Sequence, residues 1–129
     1  MKIKYFRSAA EFRRWLEVNQ ALVSELWVGF FKKDSGKVGL TYAEAVDEAL
    51  CFGWIDGLKK RVDELSYTHR FTPRKPKSNW SRINIQRVER LRVAGRMTPA
   101  GAMREEAPTR KRYWIVALGF LIFLIVRIV

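Results

Sequence analysis

The chain has 129 residues, a hydrophobic fraction of 48% and a formal net charge of +12. This length suits one domain with a single core, and the one cysteine excludes an internal disulfide. Because no apolar run follows the basic N-terminus, we expect no signal peptide and a cytoplasmic domain. The charge is concentrated in residues 59–96, which carry 12 basic and 3 acidic side chains. Such a region favours a negatively charged partner.

Two elements are predicted in the first third of the chain. Ser8 followed by Glu11 matches a capping box, and apolar residues recur at helical spacing before Asn19. The sequence "ELWVGFFKK", residues 25–33, predicts a strand. Since both of its faces are apolar, we expect this strand to lie inside the sheet and not at its edge.

A second helix is predicted over "LTYAEAVDEALCFG", residues 40–53. Thr41 and Glu44 form a capping box at its start, and Gly53 suits the position just after its end. The chain then turns into a strand that begins with "WIDG".

This helix-to-strand corner has a dense mixture of side chains. We interpret it as mainly structural, with Asp56 accepting backbone N–H groups or pairing with an arginine such as Arg70 or Arg74. The residues of the corner motif are Cys51, Gly53, Trp54, Asp56 and Gly57.

The second half of the domain is predicted to contain a hairpin and a basic helix. "SYTHRFTPR", residues 66–74, alternates as a strand does. "SRINIQRVERLRVAG" predicts a basic amphipathic helix capped by Ser78 or Ser81, and a short helix or turn follows around Pro99. We therefore predict an α+β fold: a small, mainly antiparallel sheet of about three strands with packed helices, plus a hydrophobic C-terminal helix.

The chain ends in a strongly apolar segment. Residues 113–129 would span roughly 25 Å as a helix, close to the ~30 Å hydrocarbon core of a bilayer. We predict an α+β domain over residues 1–105, a basic linker over 106–112 and a hydrophobic helix over 113–129 that anchors the domain to the inner membrane. The alternatives are a helix buried in the core or in a homo-oligomer, and an end created by a shifted reading frame. The residues expected in the membrane are Tyr113, Trp114, Ile115, Leu118, Phe120, Leu121, Phe123 and Leu124.

Residue types that carry chemistry are few. Cys51, Asp56 and His69 are the types of a nucleophile, an orienting acid and a base, but their spacing matches no known local signature. We expect Cys51 to be a buried hydrophobe and the protein not to be an enzyme, with an unknown reaction at these three residues as an alternative. One cysteine and one histidine cannot close a metal site, and no phosphate-cradling glycine loop is present. We therefore predict no metal and no cofactor.

The strongest candidate for binding is "RFTPRKPKSNWSRIN", residues 70–84. Its cations surround two prolines, neutral donors and an indole ring, and a helix N-terminus is expected beside them. This combination favours phosphate or the acidic headgroup of a lipid. The alternatives are a solvated basic face and a nucleic-acid surface. The predicted anion-binding residues are Arg70, Arg74, Lys75, Lys77, Ser78, Trp80, Ser81, Arg82 and Asn84.

Five segments carry a resemblance to a known family. They are "FRRWLE", "ELWVGFFKKDSG", "LTYAEAVDEALCFGWIDG", "RFTPRKPKSNWSRIN" and "GRMTPAG". In this order they resemble the YdeI/OmpD-associated proteins of bacteria, a family labelled bacteriocin-protection proteins, over residues 6–101. Members usually continue with a polar helical segment where this chain has its apolar end. The resemblance implies a stress or bacteriocin-resistance protein, so we expect a non-catalytic protein of this type that binds an anionic partner through its basic region.

Overall fold

The computed structural model describes residues 2–75 and 80–104. Its strands and helices, in chain order, are β1 (Ile3–Tyr5), α1 (Ala9–Asn19), β2 (Leu26–Phe31), α2 (Tyr42–Cys51), β3 (Trp54–Arg61), β4 (Ser66–Pro73), α3 (Arg82–Val93) and α4 (Pro99–Arg104). A 3₁₀ turn covers Lys33–Ser35 between β2 and α2. The predicted linker 106–112 and apolar helix 113–129 lie outside the described residues. Within those residues, no helix is both long and apolar enough to cross a membrane.

The four strands form one sheet in the order β1-β2-β4-β3. β1 runs parallel to β2, and the other two pairings are antiparallel. The prediction of an α+β fold with a small, mainly antiparallel sheet is therefore confirmed, and β2 lies inside the sheet as expected. The prediction of about three strands misses β1, whose three residues are too few to show an alternating pattern.

The sheet has one covered face and one open face. The register pairs Leu26 with Phe71 and Val28 with His69, and directly opposite residues share a face. Phe71 and Val28 are fully buried in the core, so this side is called the helix face. The opposite side, to which Trp27 belongs, is called the open face.

α1 and α3 pack against α2, and their buried apolar residues belong to the core on the helix-face side of the sheet. α1 contributes Phe12 and Leu16, and α3 contributes Val88 and Leu91, all of them inaccessible to solvent or nearly so. α2 packs against α1, α3, α4 and β3, and most of its side chains are buried. The core therefore lies between α2 and the sheet.

The two predicted capping boxes differ in the structure. At α2, Thr41 and Glu44 exchange both hydrogen bonds, as predicted. At α1, Ser8 accepts from the backbone N of Glu11, but the Glu11 carboxylate accepts from the backbone N of Arg7. The second half of the first box is therefore wrong by one residue, although the cap itself is formed.

The short helix α4 closes the corner that follows α2. Thr98 donates from its backbone N and its hydroxyl to the carbonyl oxygen of Cys51, at 3.0 and 2.7 Å. A Cβ atom at Gly101 would collide with the same oxygen, so this close approach requires glycine. Gly53, with a φ of 72°, turns the chain into β3 as predicted.

Candidate functional site

The predicted anion-binding residues do not form one open surface. Arg70 lies on the open face of the sheet, where its Nη2 is 3.0 Å from Glu25 Oε2. Arg74, in contrast, is buried, and Trp80 packs against the core. Two of the predicted cations thus have surroundings that a shared binding surface would not give them.

Arg74 is stacked on Trp80. Its Cζ lies 3.4 Å from the centre of the ring, and only 6% of the residue is exposed. Burial lowers the pKa of Arg74 to about 10, and the negative charge of Asp56 partly offsets this effect. The guanidinium remains charged at neutral pH and makes a cation–π contact. Its role here is to hold the segment before α3 against the domain.

The start of α3 is capped by its own chain. Ser81 Oγ accepts a hydrogen bond from the backbone N of Asn84 at 3.1 Å. Lys75 and Arg82 are exposed. Lys77 and Ser78 lie outside the described residues. The cap occupies one of the helix N–H groups that the sequence analysis assigned to a bound anion.

Three arginines from α3 and the segment after it, together with Arg13 from α1, bind the two acidic residues in the middle of α2. These α2 ion pairs are Asp47 with Arg87 and Arg90, and Glu48 with Arg13 and Arg96. The Asp47 contacts measure 3.3 and 2.9 Å. The Glu48 side chain is only 3% exposed and lies 3.0 Å from Arg13 Nη1. Part of the basic charge therefore connects α3, the segment after it and α1 to α2.

Asp56 and His69 meet at Tyr42, and Cys51 lies at the other end of the same helix. The Tyr42 hydroxyl donates a short hydrogen bond to Asp56 Oδ2, and its ring stacks on His69 at 4.5 Å. Tyr42 is the first residue of α2 and Cys51 the last, so they are about 13 Å apart along its axis. Burial raises the pKa of the Cys51 thiol, which disfavours the thiolate. The structure brings two of the three alternative catalytic residues together, without the nucleophile.

The groups around Tyr42 are held in defined protonation states. Burial, and then the hydrogen bond to Asp56, raise the pKa of Tyr42, so its hydroxyl acts as a donor. Burial also lowers the pKa of His69, although a contact of 3.4 Å between its Nδ1 and the Gly57 carbonyl oxygen opposes this. Within residues 2–75 and 80–104, no three His, Cys, Asp or Glu side chains are grouped so as to hold a metal ion.

Two adjoining grooves open beside Tyr67 at the β3–β4 hairpin. One, of about 290 Å³, is lined by Lys32, Lys59, Arg61 and Tyr67. The other, of about 400 Å³, shares Lys32 and Tyr67 and continues along the loop before α2, past Tyr42. The two grooves together are called the lysine groove. Its cations are Lys32, Lys33, Lys37, Lys59 and Arg61.

The cations of the lysine groove differ from those of the α2 ion pairs. In the part of the chain that the structure describes, none of them lies within 4.0 Å of a carboxylate, and no carboxylate lines either groove. Lys59 Nζ instead lies 4.7 Å from the centre of the Tyr67 ring. The nearby Asp63 accepts from the backbone N of Leu65 and Ser66, and these bonds lower its pKa. The groove therefore has an excess of positive charge, which Asp63 offsets only in part through its electrostatic interaction with Lys37.

A β-bulge in β3 places two of these cations, Lys59 and Arg61, in the lysine groove. The register shifts between Asp56 and Lys59, so β3 advances by three residues while β4 advances by two. Arg61 then lies opposite Tyr67 on the helix face, where strict alternation from Asp56 would have placed Lys60. The groove could not be predicted from the sequence, because only Gly57, a residue type common at bulges, marks this shift.

No curated protein matches the chain, and no solved structure matches it. One family model, described as a domain of unknown function and designated DUF8412, matches residues 4–104. This match spans the lysine groove, the α2 ion pairs and the capped start of α3. Because it covers well over half of the 129 residues, the chain belongs to the DUF8412 family.

Proposed function

We propose that this domain binds an anionic partner through a phosphate group held in the lysine groove. The observation that carries the proposal is the contrast in charge compensation. Arg87, Arg90 and Arg96 already contact carboxylates. The groove cations have no such partner among the described residues, and they line a concave surface. A bound anion would supply the missing negative charge.

The groove offers the kinds of group that bind phosphate. Its lysines act as mobile point charges, and Arg61 can make a bidentate contact with two phosphate oxygens. Tyr67 lines the same groove and adds a hydroxyl group. Because a phosphate monoester carries up to two negative charges and several acceptor oxygens, it can engage more of these groups at once than a carboxylate can.

The proposal is tested by two double variants that remove the same charge. Lys59→Gln with Arg61→Gln removes two groove cations, and Lys75→Gln with Arg82→Gln removes two exposed cations near the start of α3. In calorimetric titrations with inorganic phosphate and with a phosphate monoester, we expect the first variant to lose about tenfold or more in affinity, since each charge-assisted hydrogen bond contributes roughly 1.5–3 kcal/mol. The second variant should stay within about twofold. Equal losses, or a larger loss in the second variant, would refute the groove.

A second experiment separates the two sources of the phosphate group. Vesicles that contain phosphatidic acid are compared with phosphatidylcholine vesicles in a flotation assay, using the full chain and the Lys59→Gln, Arg61→Gln variant. Groove-dependent flotation with phosphatidic acid would identify a lipid headgroup. Phosphate binding in solution without flotation would identify a soluble ligand.

The resemblance to YdeI/OmpD-associated proteins supports a cellular role for this binding. We propose a non-catalytic part in bacterial stress or bacteriocin resistance, with the apolar segment 113–129 as the membrane anchor. Cell fractionation of the full chain and of a chain ending at Ala107 tests the anchor. If the segment is an anchor, only the full chain should sediment with membranes. Recovery of both chains in the soluble fraction would exclude the anchor.

A further inference from the structure

The open face of the sheet carries aromatic rings that the core does not use. Tyr5, Trp27 and Phe31 share this face in the strand register. None of the three is among the described side chains that form the core or pack against it. Tyr5 is 38% exposed, and the other two are partly exposed. Three aromatic residues on one accessible face are more than the scattered apolar exposure of an ordinary surface.

Gly29 allows the Tyr5 ring to lie close against the sheet. The Tyr5 ring covers Gly29, where a Cβ atom would collide with it. Tyr5 stacks on Phe31 with ring centres 5.0 Å apart and an angle of 18° between the planes. Trp27 is two residues from Gly29 along β2, hence roughly 7 Å away along the strand. The face therefore has two separate aromatic surfaces, the Tyr5–Phe31 pair and Trp27.

Cations lie beside both aromatic surfaces. Lys60 Nζ is 5.2 Å from the centre of the Trp27 ring, and Lys37 Nζ is 5.3 Å from the centre of the Phe31 ring. The same β-bulge that sends Arg61 to the lysine groove sends Lys60 to the open face. Long lysine side chains can move away from a ring and keep their charge close to it.

One carboxylate on this face restrains a third cation. Arg70 lies opposite Trp27 in the register and pairs with Glu25 Oε2. The other oxygen of Glu25 accepts a hydrogen bond from Trp27 Nε1 at 2.7 Å. Glu25 would therefore repel an approaching polyanion, as would Asp63, which accepts a hydrogen bond from Ser66 Oγ beside Tyr5.

We propose that the open face binds single-stranded nucleic acid, with bases stacked on Trp27 and on the Tyr5–Phe31 pair and with phosphates held by Lys60 and Arg70. Rings that stack bases and cations that hold phosphates are the two elements of sheet surfaces that bind single strands. A duplex hides the faces of its bases and cannot use the rings. A second copy of this chain would bring a net charge of +12 against an equal charge, so a self-complementary interface is disfavoured.

The test is a fluorescence-anisotropy titration of the full chain with labelled RNA and DNA single strands of about eight nucleotides, with a duplex for comparison. We expect tighter binding of the single strands. Trp27→Ala should weaken that binding at least about fivefold, and Trp27→Phe should restore most of it, because stacking needs only a flat ring. Thermal unfolding of both variants checks that the sheet is intact. The Lys59→Gln, Arg61→Gln variant should keep the Trp27-dependent part of the affinity.

Two further measurements concern the charges of the open face. Lys60→Gln should reduce the slope of log K against log salt by about 0.7, the value for one phosphate contact with a single strand. Glu25→Gln should increase the affinity, because it removes a negative charge and releases Arg70.

Three results would overturn the proposal. One is equal affinity for duplex and single strand. Another is unchanged single-strand affinity in a folded Trp27→Ala variant. The third is a dimer of the full chain that Trp27→Ala dissociates, which would assign the face to a second copy. Loss of phosphate binding in the groove variants leaves these measurements unaffected, so the two proposals can fail separately.

Discussion

Two basic regions of this domain differ in what their charges contact. Around α2, Asp47 and Glu48 each form ion pairs with two arginines. Those arginines come from α1, α3 and the segment after α3. In the lysine groove, the cations contact rings and solvent but no described carboxylate. The first region uses its charge to hold helices together, and the second leaves its charge available to a ligand.

The comparison shows that a local excess of basic residues does not by itself locate a binding surface. Residues 59–96 have the largest excess of positive charge in the chain. Their arginines reach carboxylates on residues far away in the sequence, such as Glu25, Asp47 and Glu48. The available cations lie partly outside this region, at Lys32, Lys33 and Lys37. Pairing across the fold decides which charges remain, and it depends on tertiary structure.

The largest expected effect concerns Glu48. Glu48→Gln would leave Arg13 and Arg96 without their shared carboxylate. Glu48 is buried, but the two arginine side chains are 26% and 42% exposed, so we expect a loss of about 2–3 kcal/mol. Urea unfolding should show this loss in the free energy of unfolding, with phosphate affinity unchanged. Glu17→Gln is the matched control, since Glu17 is exposed and contacts the same Arg13 at 3.8 Å. It should cost less than about 0.5 kcal/mol. Similar values for both variants would remove the distinction between the two regions.

A smaller loss is expected at Asp47. Its side chain is 18% exposed and accepts from both Arg87 and Arg90. Asp47→Asn keeps the shape but removes the charge, so we expect a loss of about 1–2 kcal/mol in the free energy of unfolding. A double-mutant cycle with Arg90→Gln measures the coupling directly. Zero coupling would mean that this contact does not join α2 to α3.

His69, the one histidine in the chain, should make stability depend on pH. Burial holds its pKa in the folded state below the ordinary value near 6.5. Above that pH both states are neutral at this residue and stability is unaffected. As pH falls through the unfolded pKa, the unfolded chain binds the proton first, so the free energy of unfolding decreases until the lower folded pKa is passed. Urea midpoints across this range should decrease for the natural chain and not for His69→Gln. A midpoint that rises on acidification would contradict the assignment.

The smallest expected effect on stability is in the groove itself. Lys59→Gln with Arg61→Gln removes no ion pair among the described residues. We expect the free energy of unfolding to change by no more than about 0.5 kcal/mol, with any gain due to reduced repulsion. Urea unfolding of this double variant and of Glu48→Gln under the same conditions compares the two free energies of unfolding. A loss of several kcal/mol would show that the groove cations are structural.

The parts of the fold that local patterns determine could be predicted from the sequence. Thr41 and Glu44 identify the start of α2, Gly53 identifies its end, and the two apolar faces of "LWVGFF" place β2 inside the sheet. These features depend on residues a few positions apart, and backbone capping and alternation have fixed periods.

The candidate site could not be predicted in the same way, because its residues depend on long-range pairing. Its position in a basic segment predicts that Arg74 is exposed, but the structure shows it buried and stacked on Trp80. Unbroken alternation from Asp56 would place Lys60 on the helix face and Lys59 on the open face, but the bulge in β3 exchanges these positions. Only the register between β3 and β4 reveals this, and no periodic pattern encodes it.

The central claim is that the free cations of the lysine groove, and not the basic start of α3, receive the anion. Phosphate titration followed by ¹⁵N–¹H correlation spectra of the full chain tests it most directly. The account predicts that the largest saturable shifts belong to backbone amides at Lys32, Lys37, Lys59 and Tyr67, with little change at Ser81 and Asn84. Saturable shifts confined to the start of α3, without shifts at the amides of the lysine groove, would contradict it.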